Sequence, residues 1–183
     1  EFFSKNGSSV KLKDGNRIGY NIFGKKKNFP IFYFHGWPGS RFELRNIPLK
    51  KKKFSKFLIL WKAWFKVLIK KNTLKKKKCF VIAIERPGYG ISDPIKNFKI
   101  KDWPKIVLEI ANKFKIKKFS IIGVSGGAPF ALSCAYFINS KRLKSVAIVC
   151  GLAPSNVKGM NKGRVGMLMN YGNKPIVSWM LLI

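Results

Sequence analysis

The stretch Phe119-Ser120-Ile121-Ile122-Gly123-Val124-Ser125-Gly126-Gly127-Ala128-Pro129 decides how this chain is read. Phe119 to Ile122 is an apolar run of the kind that forms a buried strand, and Ala128 onward is an apolar run opened by a proline. A proline suits the first turn of a helix, where its missing N–H would have no partner anyway. Between strand and helix lies Gly-x-Ser-x-Gly, with glycines at 123, 126 and 127 where a Cβ would crowd a sharp turn or demand a costly positive φ. Such a turn lifts the Ser125 hydroxyl above the sheet and aims the Gly126 N–H at whatever that hydroxyl attacks, the arrangement of a nucleophile elbow. The bland alternative is a small-residue turn into a helix, and the flanking strand and helix weigh against it.

Working outward from it, the same alternation repeats. Phe29-Pro30-Ile31-Phe32-Tyr33-Phe34 and Phe80-Val81-Ile82-Ala83-Ile84 are apolar runs expected of strands buried in a mostly parallel sheet, and Lys144 to Cys150 reads as a further strand. Val10-Lys11-Leu12 and Ile18-Gly19-Tyr20-Asn21-Ile22 alternate about Asp14-Gly15, which predicts an antiparallel hairpin with a two-residue turn. Ile106, Val107, Ile110, Ala111 and Phe114 recur at helical spacing behind Asp102 as N-cap, and Ala128 to Ile138 reads as a helix buried under the sheet. The fold expected is therefore α/β, a mostly parallel sheet behind an N-terminal antiparallel hairpin. Its core would occupy residues 1–154 with an insert at about 50–78, and residues 155–183 would begin a lid or a terminal helix packed on the core.

Composition narrows the chemistry. The chain has 183 residues, begins at Glu1 and ends within an apolar run, so it is expected to be a piece of something longer. A formal charge of +31 would ordinarily point to nucleic acid or an anionic membrane. Here the cations are lysines in loop runs at 25–27, 50–53 and 75–78, with arginine only at 17, 41, 45, 86, 142 and 164. Arginine is the residue that clamps phosphates and reads bases bidentately, so specific nucleic-acid recognition is not expected. Cys79, Cys134 and Cys150 lie far apart in apolar segments, and His35 is the only histidine. Buried free thiols in a reducing, cytoplasmic compartment are the default, and no metal or cofactor site is expected. Residues 54–71 place Lys62, Lys66 and Lys70 at four-residue spacing against Phe54, Phe57, Trp61 and Trp64. That segment reads as a helix on a membrane surface, as a helix packed on the sheet, or as a low-complexity insert, and its apolar core is shorter than the ~20 residues a bilayer span needs.

Three motifs in register carry a resemblance. His35-Gly36-Trp37-Pro38-Gly39, Arg86-Pro87-Gly88-Tyr89-Gly90-Ile91-Ser92-Asp93 and Gly123-Val124-Ser125-Gly126-Gly127 resemble, in order and spacing, the α/β-hydrolase fold superfamily. They look most like its serine-nucleophile branch, related to epoxide hydrolases, esterases and proline-iminopeptidase-like enzymes, over roughly residues 9–154. The resemblance implies a hydrolase acting on an ester, amide or related small acyl substrate, with Ser125 as nucleophile and the N–H groups of Trp37 and Gly126 as oxyanion donors. His35, Gly36, Gly123 and Gly127 would support the motifs, His35 shaping the oxyanion turn without being the base, and the Trp37–Pro38 bond would often be cis. Glu85 departs from the aspartate usual there. A larger departure is that no histidine follows Ser125 and no Asp or Glu follows Glu109. In this fold the acid and then the histidine come after the nucleophile. They would have to come from sequence beyond these residues. Otherwise the protein is a non-catalytic binder of a ligand or partner on the same fold.

Overall fold

The computed structural model describes residues 8–37, 39–44 and 71–151, with the side chains of 71–73 excepted. The expectations for residues 54–70, for the lid at 155–183 and for the Trp37–Pro38 bond fall outside them. The described elements are β1 (Ser8–Lys11), β2 (Arg17–Phe23), β3 (Phe29–Phe34), α1 (Lys71–Lys76), β4 (Cys79–Ile84), α2 (Trp103–Lys113), β5 (Phe119–Val124), α3 (Ala128–Phe137) and β6 (Leu143–Val149). They build one six-stranded sheet in the order β1-β2-β4-β3-β5-β6. β1 pairs antiparallel with β2, and β2 antiparallel with β4, while β4, β3, β5 and β6 run parallel. This is the α/β architecture that the alternating apolar runs predict. Among the described residues no helix is long and apolar enough to cross a membrane.

The inner parallel strands β4, β3 and β5 are largely apolar because both faces of the sheet are covered there, while β6 at the edge of the order is mostly exposed. On one face Phe32, Phe34, Ile82, Ile84 and Ile121 pack under Trp103, Val107, Ile110 and Ala111 of α2. The other gathers Phe23, Tyr33, Leu44, Leu74, Val81, Ala83 and Val124. Trp103 is fully buried and meets the rings of Phe34, at 5.4 Å between centroids, and Phe130, at 5.7 Å, both edge to face.

Four local expectations are corrected. The hairpin loop is longer than two residues: Lys11 and Arg17 are the last pair, the Leu12 N–H donates to the Asn16 carbonyl at 2.7 Å, and Gly15 takes φ +91°. Leu12, 4% exposed, continues the inward alternation of β1, and the Gly15 N–H closes the loop on its carbonyl at 3.1 Å. Asp102 does not cap α2 with its side chain. A 3-10 turn at Ile100–Asp102 precedes the helix, and the Asp102 carboxylate accepts the Lys99 N–H at 3.0 Å. α3, apolar on all sides, buries only Ala128, Ala131 and Cys134 and leaves Leu132, Tyr136 and Phe137 exposed. The buried stripe is small because the helix lies close on β5: a Cβ on Gly123 would come within 2.6 Å of the Ala131 Cβ. Cys150, expected inside, is exposed beyond the last residue of β6, while Cys79 and Cys134 are buried.

Register places the site. Phe34 pairs with Ile84 on β4 and with Gly123 on β5, so the carboxyl ends of β3, β4 and β5 lie side by side. The turns that follow them, beginning at His35, Glu85 and Ser125, therefore converge on one edge of the sheet, the edge at which open α/β sheets hold ligands.

Candidate active site at the carboxyl ends of β3, β4 and β5

Ser125 is the first residue after β5 and opens a single 3-10 turn, Ser125–Gly127, that runs straight into α3. Its backbone changes from the extended φ −116° of Val124 to φ +48°, a left-handed conformation that a non-glycine residue rarely keeps. Such strain persists only where the surroundings over-determine it. Here they do. A Cβ on Gly127 would run into the carbonyl oxygen of Phe34, and one on Gly123 would lie 2.8 Å from the Gly127 carbonyl oxygen. The turn is thus wedged against the end of β3 with no space for side chains at either position, and Ser125 is left half-buried at its tip.

Gly126 differs from its neighbours. A Cβ there would meet nothing closer than Arg86 Nη1 at 3.5 Å and the Trp37 backbone nitrogen at 3.7 Å, both ordinary contacts. The steric need expected of this glycine is absent, and the same distances bring Gly126 and the Trp37 amide together from two turns far apart in sequence.

His35 is completely buried. Its Nδ1–H donates to the Gly36 carbonyl at 2.8 Å, which leaves Nε2 as a sealed acceptor without a partner. Burial, with the Arg86 charge adding to it, brings its pKa down from 6.5 to about 3, so the ring is neutral at physiological pH. A ring so placed is a wall of the site, stacked at a tilt on Tyr89 with centroids 5.2 Å apart.

Sequence reasoning missed Arg86. Its guanidinium is buried, lies 4.4 Å from the Tyr89 ring centroid and 5.2 Å from that of Phe130, and donates through Nη1 to the Gly126 carbonyl at 3.0 Å and through Nη2 to the Gly36 carbonyl at 3.3 Å. Burial lowers its pKa from the ordinary arginine value, with Tyr89 and Glu43 acting in the opposite sense, and an arginine nonetheless stays charged. The only signal for it in sequence was a cation at the carboxyl end of a buried strand.

Glu85 carries the loop that presents Arg86. Fully buried, it accepts Arg41 Nη1 at 2.6 Å on Oε1 and the Ile91 N–H at 3.0 Å on Oε2, while its own N–H donates to the Gly19 carbonyl at 2.8 Å. Ser92 joins it, its hydroxyl accepting the Gly19 N–H at 2.9 Å. The glutamate that replaces the expected aspartate is therefore bonded at both oxygens. Among the described residues no group of three or more His, Cys, Asp or Glu side chains is placed to hold a metal ion.

A strand–turn–helix serine at the carboxyl edge of a mostly parallel sheet, next to a second turn from the neighbouring parallel strand, defines a class of fold rather than one protein. Residues 30–173 match the family model described as alpha/beta hydrolase fold, and the chain belongs to that family. Among solved structures it is similar to the epoxide hydrolase CorEH (19% identity, 95% of this chain and 53% of that one, TM-score 0.63). It is also similar to the esterase EaEST from Exiguobacterium antarcticum (20%, 96% and 58%, 0.60) and to the esterase RhEst1 from Rhodococcus sp. ECU1013 (15%, 81% and 46%, 0.56). At such identities the likeness is one of fold, and the chain spans about half the length of these structures. No curated protein matches the sequence.

Proposed function

We propose that this chain carries the nucleophile and the oxyanion donors of a serine hydrolase for an ester, amide or related small acyl substrate. Ser125 Oγ adds to the substrate carbonyl carbon, the carbonyl π electrons move onto oxygen, and the Oγ proton passes to a base. Collapse of the tetrahedral intermediate expels the alcohol or amine and leaves an acyl-enzyme, which water then hydrolyses. The N–H groups of Trp37 and Gly126 receive the oxyanion, each such donor contributing roughly 3 kcal/mol to barrier lowering. The observation that carries this reading is Ser125 held at φ +48° between strand and helix, on the residue before the glycine that adjoins the Trp37 amide. Family membership and neighbours named as an epoxide hydrolase and esterases support it. His35 does not fit the base, since its Nε2 is sealed and its pKa lies near 3. In this reading the acid and the histidine come from sequence outside these 183 residues.

One observation favours a second reading. His35, in the motif beside Ser125, is held on the Gly36 carbonyl with its other nitrogen buried, which suits a member of the fold that binds a ligand or partner without turning it over. The two separate on treatment of the intact gene product with a fluorophosphonate. The hydrolase reading expects one phosphonyl group on the Ser125 peptide and none in Ser125→Ala. An unlabelled Ser125 in a folded, intact protein favours the binder.

A further inference from the structure

We infer that Arg86 is the positioning residue of the oxyanion site: its guanidinium ties the Gly36–Trp37 turn to the Gly126–Gly127 turn and sets the direction and strength of the Trp37 N–H. The inference deepens the serine-hydrolase reading and rests on it for the identity of the donors. Its geometry stands apart from that reading. In a trans peptide the C=O and N–H point in opposite directions. The Gly36 carbonyl accepts from Arg86 Nη2, at 3.3 Å, from His35 Nδ1, at 2.8 Å, and from the Gly39 N–H, at 3.1 Å. Fixing that oxygen on three donors, of which Arg86 alone carries a buried charge, fixes the Trp37 N–H on the opposite side of the same peptide plane. Drawing electron density toward a buried cation also makes that N–H a stronger donor, because hydrogen bonds in series polarise one another in a low-dielectric interior.

The second bond closes the frame. Arg86 Nη1 donates to the Gly126 carbonyl at 3.0 Å, so one rigid, planar group spans both turns. Tyr89 and Phe130 hold the guanidinium by its faces, at 4.4 and 5.2 Å from their centroids, and Glu85 fixes the loop it starts from through Arg41 and Ile91. Gly39 and His35 hold the Gly36 carbonyl from within its own turn, whereas Arg86 links that turn to the Gly126 turn. A lysine would bring charge to the same place but could not bridge both carbonyls in one plane.

The test uses the intact gene product as wild type, Arg86→Met and Arg86→Lys, with circular dichroism and melting curves recorded for each. Inactivation by a fluorophosphonate is resolved into its binding constant and its maximal rate. The clamp predicts that Arg86→Met slows the maximal rate by at least about tenfold at little change in binding, since a transition-state donor is lost and a ground-state contact is not. Arg86→Lys recovers part of the rate. Independently, protein labelled with [15N]tryptophan, with Trp37→Phe to assign the signal, reports the Trp37 amide directly. That resonance should move in Arg86→Met and lie between the two in Arg86→Lys while the Trp103 resonance stays in place. Unchanged inactivation rates together with an unmoved Trp37 resonance overturn the clamp. Should the wild type resist the probe, the hydrolase reading falls and the Trp37 resonance alone decides the clamp. If Arg86→Met does not fold, Arg86→Lys carries both measurements, and wild-type behaviour in it counts against the inference.

Discussion

The backbone nitrogen of Trp37 lies 3.7 Å from the point a Cβ on Gly126 would occupy. Two turns that leave neighbouring parallel strands thus meet at the third residue of one and the second of the other, and the pairing of Phe34 with Gly123 is what brings them level. The distinction between Gly126 and Gly127 follows. In Gly126→Ala the added methyl makes only ordinary contacts, so the melting temperature should stay within a degree or two of wild type, while phosphonylation of Ser125 slows by about tenfold because the methyl takes up space beside the Trp37 amide that the substrate oxygen would use. In Gly127→Ala the methyl meets the Phe34 carbonyl, and stability should fall by at least about 1–3 kcal/mol as in other overpacked sites. Paired melting and labelling measurements check both, and a reversed order of the two effects would contradict the packing described.

The Arg41–Glu85 pair is buried at both ends, with side-chain exposures of 7% and 0%. Removing one partner of such a pair strands the other charge out of water, which typically costs about 3–5 kcal/mol. Arg41→Met should lose that much in a denaturant melt. Arg41→Met combined with Glu85→Gln should recover a substantial part, because the amide still reaches the Ile91 N–H and carries no charge. A single mutant as stable as wild type would show that the pair is not enclosed.

His35 sets a pH dependence. Its folded pKa is lowered to about 3 from 6.5, so the folded state disfavours the protonated ring. Its contribution is complete above about pH 6.5 and declines as pH falls toward about 3, by up to about 1.4 kcal/mol per unit. Comparison with His35→Gln isolates it from the carboxylates, among them Asp93, which its hydrogen bonds to Arg17 hold below the usual range. The stability gap between wild type and His35→Gln should narrow on acidification; a gap that is constant with pH would mean the ring titrates normally.

Thiol chemistry reports how α3 and β6 sit. Cys150 is exposed, Cys79 and Cys134 are buried, and burial pushes the Cys134 thiol above its ordinary pKa. Iodoacetamide should add one group quickly to the native protein, at Cys150, and reach the other two only in denaturant. Rapid modification of Cys134 would show that α3 does not close over β5.

The strands were legible because parallel strands covered on both faces must be apolar throughout, and Phe80 to Ile84 or Phe119 to Ile122 allow little else. The serine turn was legible because a strand, a tight bend and a helix leave distinct residue types in a fixed order. Other features depend on what lies across space. The outer side of α3 carries Leu132, Tyr136 and Phe137, and composition alone placed them inside, since an apolar helix says that a cover is needed but not where it is. The hairpin loop closes through the Gly15 N–H on the Leu12 carbonyl, a backbone geometry that an Asp-Gly pair alone does not specify. Arg86 stood in a quoted motif, yet its role depends on two carbonyls, of Gly36 and Gly126, that no pattern of side chains reports.

The central claim is that an oxygen bonded through Ser125 toward the β3 turn is received by the amides of Trp37 and Gly126. The direct measurement is a crystal structure of the intact gene product after reaction with a fluorophosphonate. The account predicts a tetrahedral phosphorus on Ser125 Oγ with its phosphoryl oxygen about 2.7–3.1 Å from the backbone nitrogens of both Trp37 and Gly126. A phosphoryl oxygen facing solvent, or bonded to neither nitrogen, would contradict it.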